Sequence, residues 1–275
     1  MINNPHIKIL ILNYNGENII HQCLESVLNL DYDNYSVDVI DNGSSDESVK
    51  IIREEFDSVS IHPIDKNLGY AKGYNYGFDK LKNQDFDYYL ILNNDTVVVK
   101  NLLKNLLINI NKYGDSNIYG PKIYYSNTRK LWFAGGLYNK FLGIAKHVGI
   151  NEIEDNITYK TNTTDYITGC CMLIKKDTIN KLNGFDESYA MYYEDLDLCH
   201  RAYEYDTKCY IIEGDPIYHE VSYTIGAKSF HKKYHMLCSQ FKFIYKINNP
   251  LFFIISIMIN IILMPLFFIK KIIRI

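Results

Sequence analysis

Between residues 7 and 124, short runs of apolar and β-branched residues alternate with amphipathic stretches, and that alternation restricts the chain to an α/β architecture. Residues 7–12 form a bounded apolar run that reads as a buried strand. After Asn13-Tyr14-Asn15-Gly16, the residues Ile19, Ile20, Cys23, Leu24, Val27 and Leu28 fall on one helical face. A second strand at 37–40 ends at Asp41. Ser44 and Glu47 have the spacing of a capping box, ahead of a helix with the stripe Val49, Ile52, Phe56. Strands at 59–64, 88–92 and 118–124 and helices at 69–81 and 102–110 continue the series. The expectation is a mostly parallel central sheet flanked by helices on both faces.

Beyond residue 125 the pattern loosens. Residues 126–164 are polar and irregular and contain the only tryptophan, Trp132. Order returns with a strand at 166–174 interrupted by Gly169, a short helix at 177–182, a helix opened by Glu194-Asp195-Leu196-Asp197, and short strands at 209–212 and 217–219. No repeat or low-complexity linker divides the chain, so residues 1–225 read as one domain and 226–275 as a tail. A net charge of -3 on 275 residues gives no basis for a nucleic-acid-binding surface. The six cysteines form neither a C-x-x-C pair nor a zinc spacing and read as reduced thiols. The polar start followed by a brief apolar run does not have the form of a signal peptide.

In an open α/β sheet, ligands sit outside the carboxyl ends of the strands. Three expected strands end in polar residues there: Asn13 and Tyr14, Asp41, and Asn93-Asn94-Asp95. A tyrosine can stack on a nucleobase, and a carboxylate can accept a base N–H; Asp41 could equally cap its own loop. The oxygens of Asn93 to Asp95 suit a hard cation, although an ordinary turn has the same composition. Three carboxylates at one helix start suit the helix dipole, and their crowding also drives their pKa values apart, as a general base requires. His219, followed by Glu220, ends a short strand. The region after the first strand carries neither a glycine-rich dinucleotide fingerprint nor a P-loop, which argues against a dehydrogenase or a nucleotidyltransferase.

In this order the motifs resemble the family 2 glycosyltransferases of GT-A (nucleotide-diphospho-sugar transferase) fold, most closely their rhamnosyltransferase-like branch. The resemblance covers about residues 7–222. It is carried by Leu12-Asn13-Tyr14-Asn15, Val39-Ile40-Asp41-Asn42-Gly43-Ser44-Ser45-Asp46, Asn67-Leu68-Gly69-Tyr70-Ala71-Lys72-Gly73-Tyr74-Asn75 and Leu90-Ile91-Leu92-Asn93-Asn94-Asp95. It continues through Thr168-Gly169-Cys170-Cys171, Gly184-Phe185-Asp186-Glu187, Tyr193-Glu194-Asp195-Leu196-Asp197 and Tyr218-His219.

The resemblance implies an inverting, metal-assisted transfer from a nucleoside-diphosphate sugar to a glycan or lipid-linked acceptor, in cell-surface polysaccharide synthesis. Asn13, Tyr14, Asn15 and Asp41 would hold the nucleotide. Asn67, Gly69 and Asn75 would shape the loop beside it, Asn93 would lie nearer the ribose, and Asn94 would also bind the nucleotide sugar. Asp95 and His219 would hold Mg²⁺ or Mn²⁺. Asp195 would be the catalytic base with Glu194 and Asp197 in support, and Gly169 and Cys170 would line the acceptor site. The closest branch suggests rhamnose carried on dTDP as donor. The chain departs from the family in carrying Asn93 where the metal motif usually begins with aspartate, and in lacking an Arg-Asn pair across 234–239. Those departures motivate an alternative, a non-catalytic relative that binds a nucleotide sugar or serves as a scaffold.

The tail mixes lysines and aromatics over 227–246, as a helix lying on an anionic membrane does. Residues 251–269 are almost wholly apolar, near the roughly 20 residues a spanning helix needs, but Asn260 and Pro265 interrupt them. A single span followed by Lys270, Lys271 and Arg274 would place the preceding domain outside, away from nucleotide sugars. An interfacial or re-entrant anchor at the cytoplasmic, inner face of the membrane is therefore favoured over a full span. Packing of the tail on the domain or in a homo-oligomer is the remaining reading.

Overall fold

The computed structural model describes residues 4–154, 162–220 and 230–272, with side chains described from 233 to 261 in the tail. The sheet begins with β1 (Ile7–Asn13), β2 (Tyr35–Asp41), β3 (Val59–Pro63) and β4 (Tyr88–Asn93), all mutually parallel in the order β4-β1-β2-β3. Ile7, Ile9, Leu10 and Ile11 are fully buried because helices cover both faces of this central strand. The crossovers are α1 (Ile20–Leu28), α2 (Ser48–Glu55) and α3 (Tyr70–Leu81). On α1, Ile20, Cys23, Leu24 and Val27 are buried, as the sequence pattern requires.

The capping box expected at Ser44 does not form. Ser44 turns back to Asp41, and the start of α2 is satisfied instead by Asp46, whose Oδ1 accepts the Ser48 amide at 3.1 Å. The strand expected at 118–124 is two strands. Pro121 lacks an amide hydrogen, and the chain leaves one sheet for another around it. β6 (Ile118–Gly120) stays in the main sheet, while β7 (Ile123–Tyr125) joins a small second sheet.

That second sheet has the order β5 (Thr96–Val97), β14 (Ile217–His219), β7, β8 (Leu131–Phe133). Between β4 and β6 the main sheet holds β12 (Cys171–Lys175), antiparallel to both neighbours, and its far edge is β13 (Cys209–Ile211) and β11 (Thr163–Thr164). The stretch expected to be irregular also supplies a hairpin of β9 (Gly136–Tyr138) and β10 (Ala145–His147). Helices α4 (Leu102–Tyr113), α5 (Lys176–Leu182) and α6 (Glu194–Tyr203) complete the body.

The tail is two helices, α7 (Phe230–Ile247) and α8 (Pro250–Ile272), and α7 is docked: Phe243 and Ile244 are fully buried. Leu251, Phe252, Ile254, Ile255, Met258 and Ile261 of α8 are exposed. No helix among the described residues is long and apolar enough to cross a membrane. The boundary expected at 225/226 and the side chains of Lys228, Lys232, Pro265, Lys270, Lys271 and Arg274 lie outside the described residues.

Candidate active site

The polar strand ends gather at one sheet edge because β1, β2 and β4 run parallel and in register: Asn13 pairs with Asp41, and Leu12 with Asn93. Asn13 is fully buried and donates to Asp41 Oδ1 at 2.9 Å, while its Oδ1 accepts Asn94 Nδ2 at 2.8 Å. Asp41 also accepts from the Ser44 hydroxyl at 2.6 Å and the Ser44 amide at 3.1 Å. Asn15 accepts the Ser45 amide at 2.9 Å. Asn94 and Asn15 therefore shape the loops, and Tyr14 stands half-buried beside them. Asn67 stays exposed and accepts from Asn42 and from the Gly69 amide at the start of α3.

Asn75 has a structural role of its own. Its amide accepts from the Phe185 N–H at 2.9 Å and donates to the Phe185 carbonyl at 2.9 Å, pairing with the backbone as a strand neighbour would. Phe185 itself packs against Tyr70, Tyr74 and Phe78. The segment leading to α6 is thus anchored on α3.

Asp95 lies in the turn between β4 and β5, and β14 lies antiparallel to β5 with His219 opposite Thr96. This brings His219 Nε2 to 3.0 Å from Asp95 Oδ1 as an ion pair, while the buried Oδ1 and His219 Nδ1 each lack a hydrogen-bond partner. Burial acts to lower the His219 pKa, but charge and hydrogen bonding from Cys170 and Asp95 outweigh it and push the imidazole up to about 10; a cation bound to His219 would have to displace that proton. An orphaned carboxylate oxygen beside an imidazole suits a divalent cation whose remaining ligands are diphosphate oxygens and water. Among the described residues no group of three or more His, Cys, Asp or Glu side chains gathers for a metal.

The second half of the site is the start of α6. Asp195 Oδ2 accepts the Gly169 amide at 3.0 Å, which fixes the carboxylate beside the turn that precedes β12. A side chain at Gly169 would collide with the Tyr70 hydroxyl, 2.2 Å from an added Cβ. That hydroxyl donates to the Gly169 carbonyl at 2.8 Å. The adjoining Cys170 is buried against Thr96, with Sγ 3.4 Å from the hydroxyl. Gly169 and Cys170 therefore stand between Asp195 on one side and Asp95 with His219 on the other. Glu194 is buried with Oε2 unpartnered; burial, then the neighbouring Asp195 charge, raises its carboxyl to about 8.

Asp197, grouped from sequence with the catalytic carboxylates, has a different place. Two residues along a helix turn a side chain about 200°. Its fully buried carboxylate accepts from Arg201 Nε at 2.7 Å and Lys246 Nζ at 2.6 Å, so it anchors α6 to α7.

Two residues that the sequence reading passed over also belong here. Trp132 meets His219 edge-on at 4.4 Å and His147 at 4.7 Å between ring centroids. His147 Nδ1 donates to the Trp132 carbonyl at 3.1 Å, and burial lowers its pKa against the opposing pull of Asp195. The only signal for either was a lone tryptophan in a stretch without periodicity.

Residues 8–182 match the family described as glycosyl transferase family 2. The chain is 26% identical over 245 residues to rhamnosyltransferase WbbL of Escherichia coli, covering 79% of this chain and 83% of that protein. It is 25% identical to the low-salt glycan biosynthesis hexosyltransferase Agl10 of Haloferax volcanii, over 71% of this chain and 61% of the relative. Among solved structures, S. aureus TarS 1-349 in complex with UDP aligns at a TM-score of 0.61 with 16% identity, over 89% of this chain and 67% of that one. The mannosyltransferase PcManGT of Pyrobaculum calidifontis, in complex with GDP-Man and Mn²⁺, aligns at 0.64 with 12% identity, over 90% and 66%. The chain spans less than half of GalNAc-T7, another structure of the same fold. With the family matched over more than half its length and the fold shared with these enzymes, the chain belongs to glycosyl transferase family 2 and is a glycosyltransferase of GT-A fold.

Proposed function

We propose that this glycosyltransferase moves a sugar from a nucleoside diphosphate to a hydroxyl of a glycan or lipid-linked acceptor, with inversion, during synthesis of a cell-surface polysaccharide. The observation that carries the reading is the placement of Asp195 and of the Asp95–His219 pair on either side of the Gly169–Cys170 turn. Asp195 takes the proton of the acceptor hydroxyl as that oxygen attacks the anomeric carbon. Asp95 and His219 hold a divalent cation, which when bound neutralises charge developing on the leaving diphosphate. Tyr14 and Asp41 receive the nucleobase at the β1–β2 edge. Glu194, neutral up to about pH 8, spares Asp195 a second negative neighbour.

The solved structures with UDP or with GDP-Man and Mn²⁺ support a nucleotide-sugar donor and a cation, and the WbbL relationship favours a deoxyhexose such as rhamnose. The exposed apolar residues of α8 support attachment to the inner membrane face, where a lipid-linked acceptor would be met. The purified protein, incubated with Mn²⁺, a panel of nucleotide sugars and a lipid-linked acceptor preparation, should yield a product heavier by one sugar by mass spectrometry. If no donor binds to the folded protein and none is consumed, the proposal fails.

A further inference from the structure

Immediately before Glu194 and Asp195, two consecutive tyrosines hold the left-handed backbone conformation: Tyr192 at φ 67° and Tyr193 at φ 72°. Bulky residues rarely adopt this region, and such a bend persists only where its surroundings hold it from several sides. Helix α7 supplies several of the holding contacts. Ser239 Oγ donates to the Met191 carbonyl at 2.8 Å, and Lys242 donates to the Ser188 carbonyl. The ring of Phe243 packs against Tyr193 at 5.8 Å, and Lys246 reaches both Asp186, at 2.8 Å, and Asp197, at 2.6 Å.

A loop from the β9–β10 hairpin completes the grip. Tyr193 donates its hydroxyl to the Gly143 carbonyl at 2.8 Å. Ile244 of α7 lies 2.4 Å from where a Cβ on Gly143 would sit, so helix and loop meet with no space between them. Gln240 and Asn260 both donate to the Leu142 carbonyl, tying α8 to the same loop. Lys246 matters most among these contacts because Asp197 is fully buried. Without it, Asp197 Oδ1 keeps only the Tyr189 hydroxyl at 3.4 Å.

Resting on the reading of Asp195 as the base, we infer that Lys246 is a positioning residue: it locks α7 onto the strained Tyr192–Tyr193 bend and thereby aims Asp195 at the Gly169 turn. The C-terminal helical pair is a working part of the active site as well as a surface for attachment. The stretch 234–239, which lacks the Arg-Asn pair of similar enzymes, takes part in this task through Ser239.

The test compares the full-length protein with Lys246→Met, the milder Ser239→Ala, the charge-conserving Lys246→Arg, and Lys104→Ala, which breaks only an exposed pair with Asp31. Amide hydrogen exchange in the free protein should rise at least about tenfold across residues 186–198 in Lys246→Met and Ser239→Ala, with β1 and β4 unchanged. Transfer should lose about tenfold to hundredfold in kcat with donor KM held within about twofold, since misaiming a catalytic group costs turnover more than binding. Lys246→Arg should recover most of both, and Lys104→Ala should change neither. Unchanged exchange across 186–198, or a lowered Tm with kcat intact below the melting range, overturns the inference. Should Lys246→Met not fold, Ser239→Ala decides it. A wild-type protein that transfers no sugar defeats the functional reading alone, because the exchange measurement still decides whether α7 holds the bend.

Discussion

Replacing Glu194 by glutamine removes a buried acid while keeping its shape and a hydrogen-bond donor. In the folded chain that carboxyl stays protonated to about pH 8, because burial and the Asp195 charge oppose its ionisation; its ordinary value is 4.5. Between those values the folded state holds a proton that the unfolded state has released. Stability therefore falls as pH rises through the window and levels off above about 8. At 1.36 kcal/mol per pH unit, the window from 4.5 to 8 sets a ceiling of about 5 kcal/mol. Even a third of that moves Tm by roughly 3–6 °C in a chain of this size. Thermal melts of wild type and Glu194→Gln from pH 4.5 to 9 read the effect directly. The variant should gain on wild type steadily with pH and hold a constant lead above about 8. Parallel curves for the two proteins would refute the account of a neutral, buried Glu194.

Three further outcomes follow from single contacts. Asn75→Ala leaves the Phe185 amide and carbonyl unpaired and should cost about 2–3 kcal/mol in urea unfolding, with donor turnover reduced as the segment before α6 loosens. Asp38→Ala leaves Lys8, which is 6% exposed and 3.0 Å from the carboxylate, with the neutral Gln84 oxygen in place of a charge partner, and should cost about 3–5 kcal/mol by the same measurement without touching donor affinity. Asp95→Asn should weaken Mn²⁺-dependent nucleoside-diphosphate binding by about tenfold or more in calorimetry, at ~1.4 kcal/mol per decade, and should lower Tm as the buried His219 loses its charge partner.

Much of the frame was legible because strand period and helix period differ over long segments. The stripe Ile20, Cys23, Leu24, Val27 and the apolar run of β1 leave little choice of element or face. What was illegible was short or tertiary. Strands of two or three residues, as in β8 to β11, show no period, so the wall bearing Trp132 and His147 read as loop. Pro121 split a run that hydropathy alone joined. The candidate site divides in the same way. Asp95, His219 and Asp195 were singled out as residue types in a pattern, and the fold brings them around one turn. Asp197 was grouped with Glu194 as support for Asp195 because sequence shows charge density, whereas the helix turns Asp195 to the Gly169 amide and Asp197 to Arg201 and Lys246. The dependence of that second carboxylate on a lysine 49 residues away has no local signature.

The assignment of Asp195 as the group that accepts the acceptor proton is settled most directly by Asp195→Asn, which keeps an oxygen for the Gly169 amide but cannot take a proton. Nucleotide-sugar affinity should stay within about threefold of wild type while sugar transfer falls by about 10²–10⁴-fold. Transfer that survives this replacement at near wild-type rate would mean that another residue is the base, and the arrangement around the Gly169 turn would need a different chemical reading.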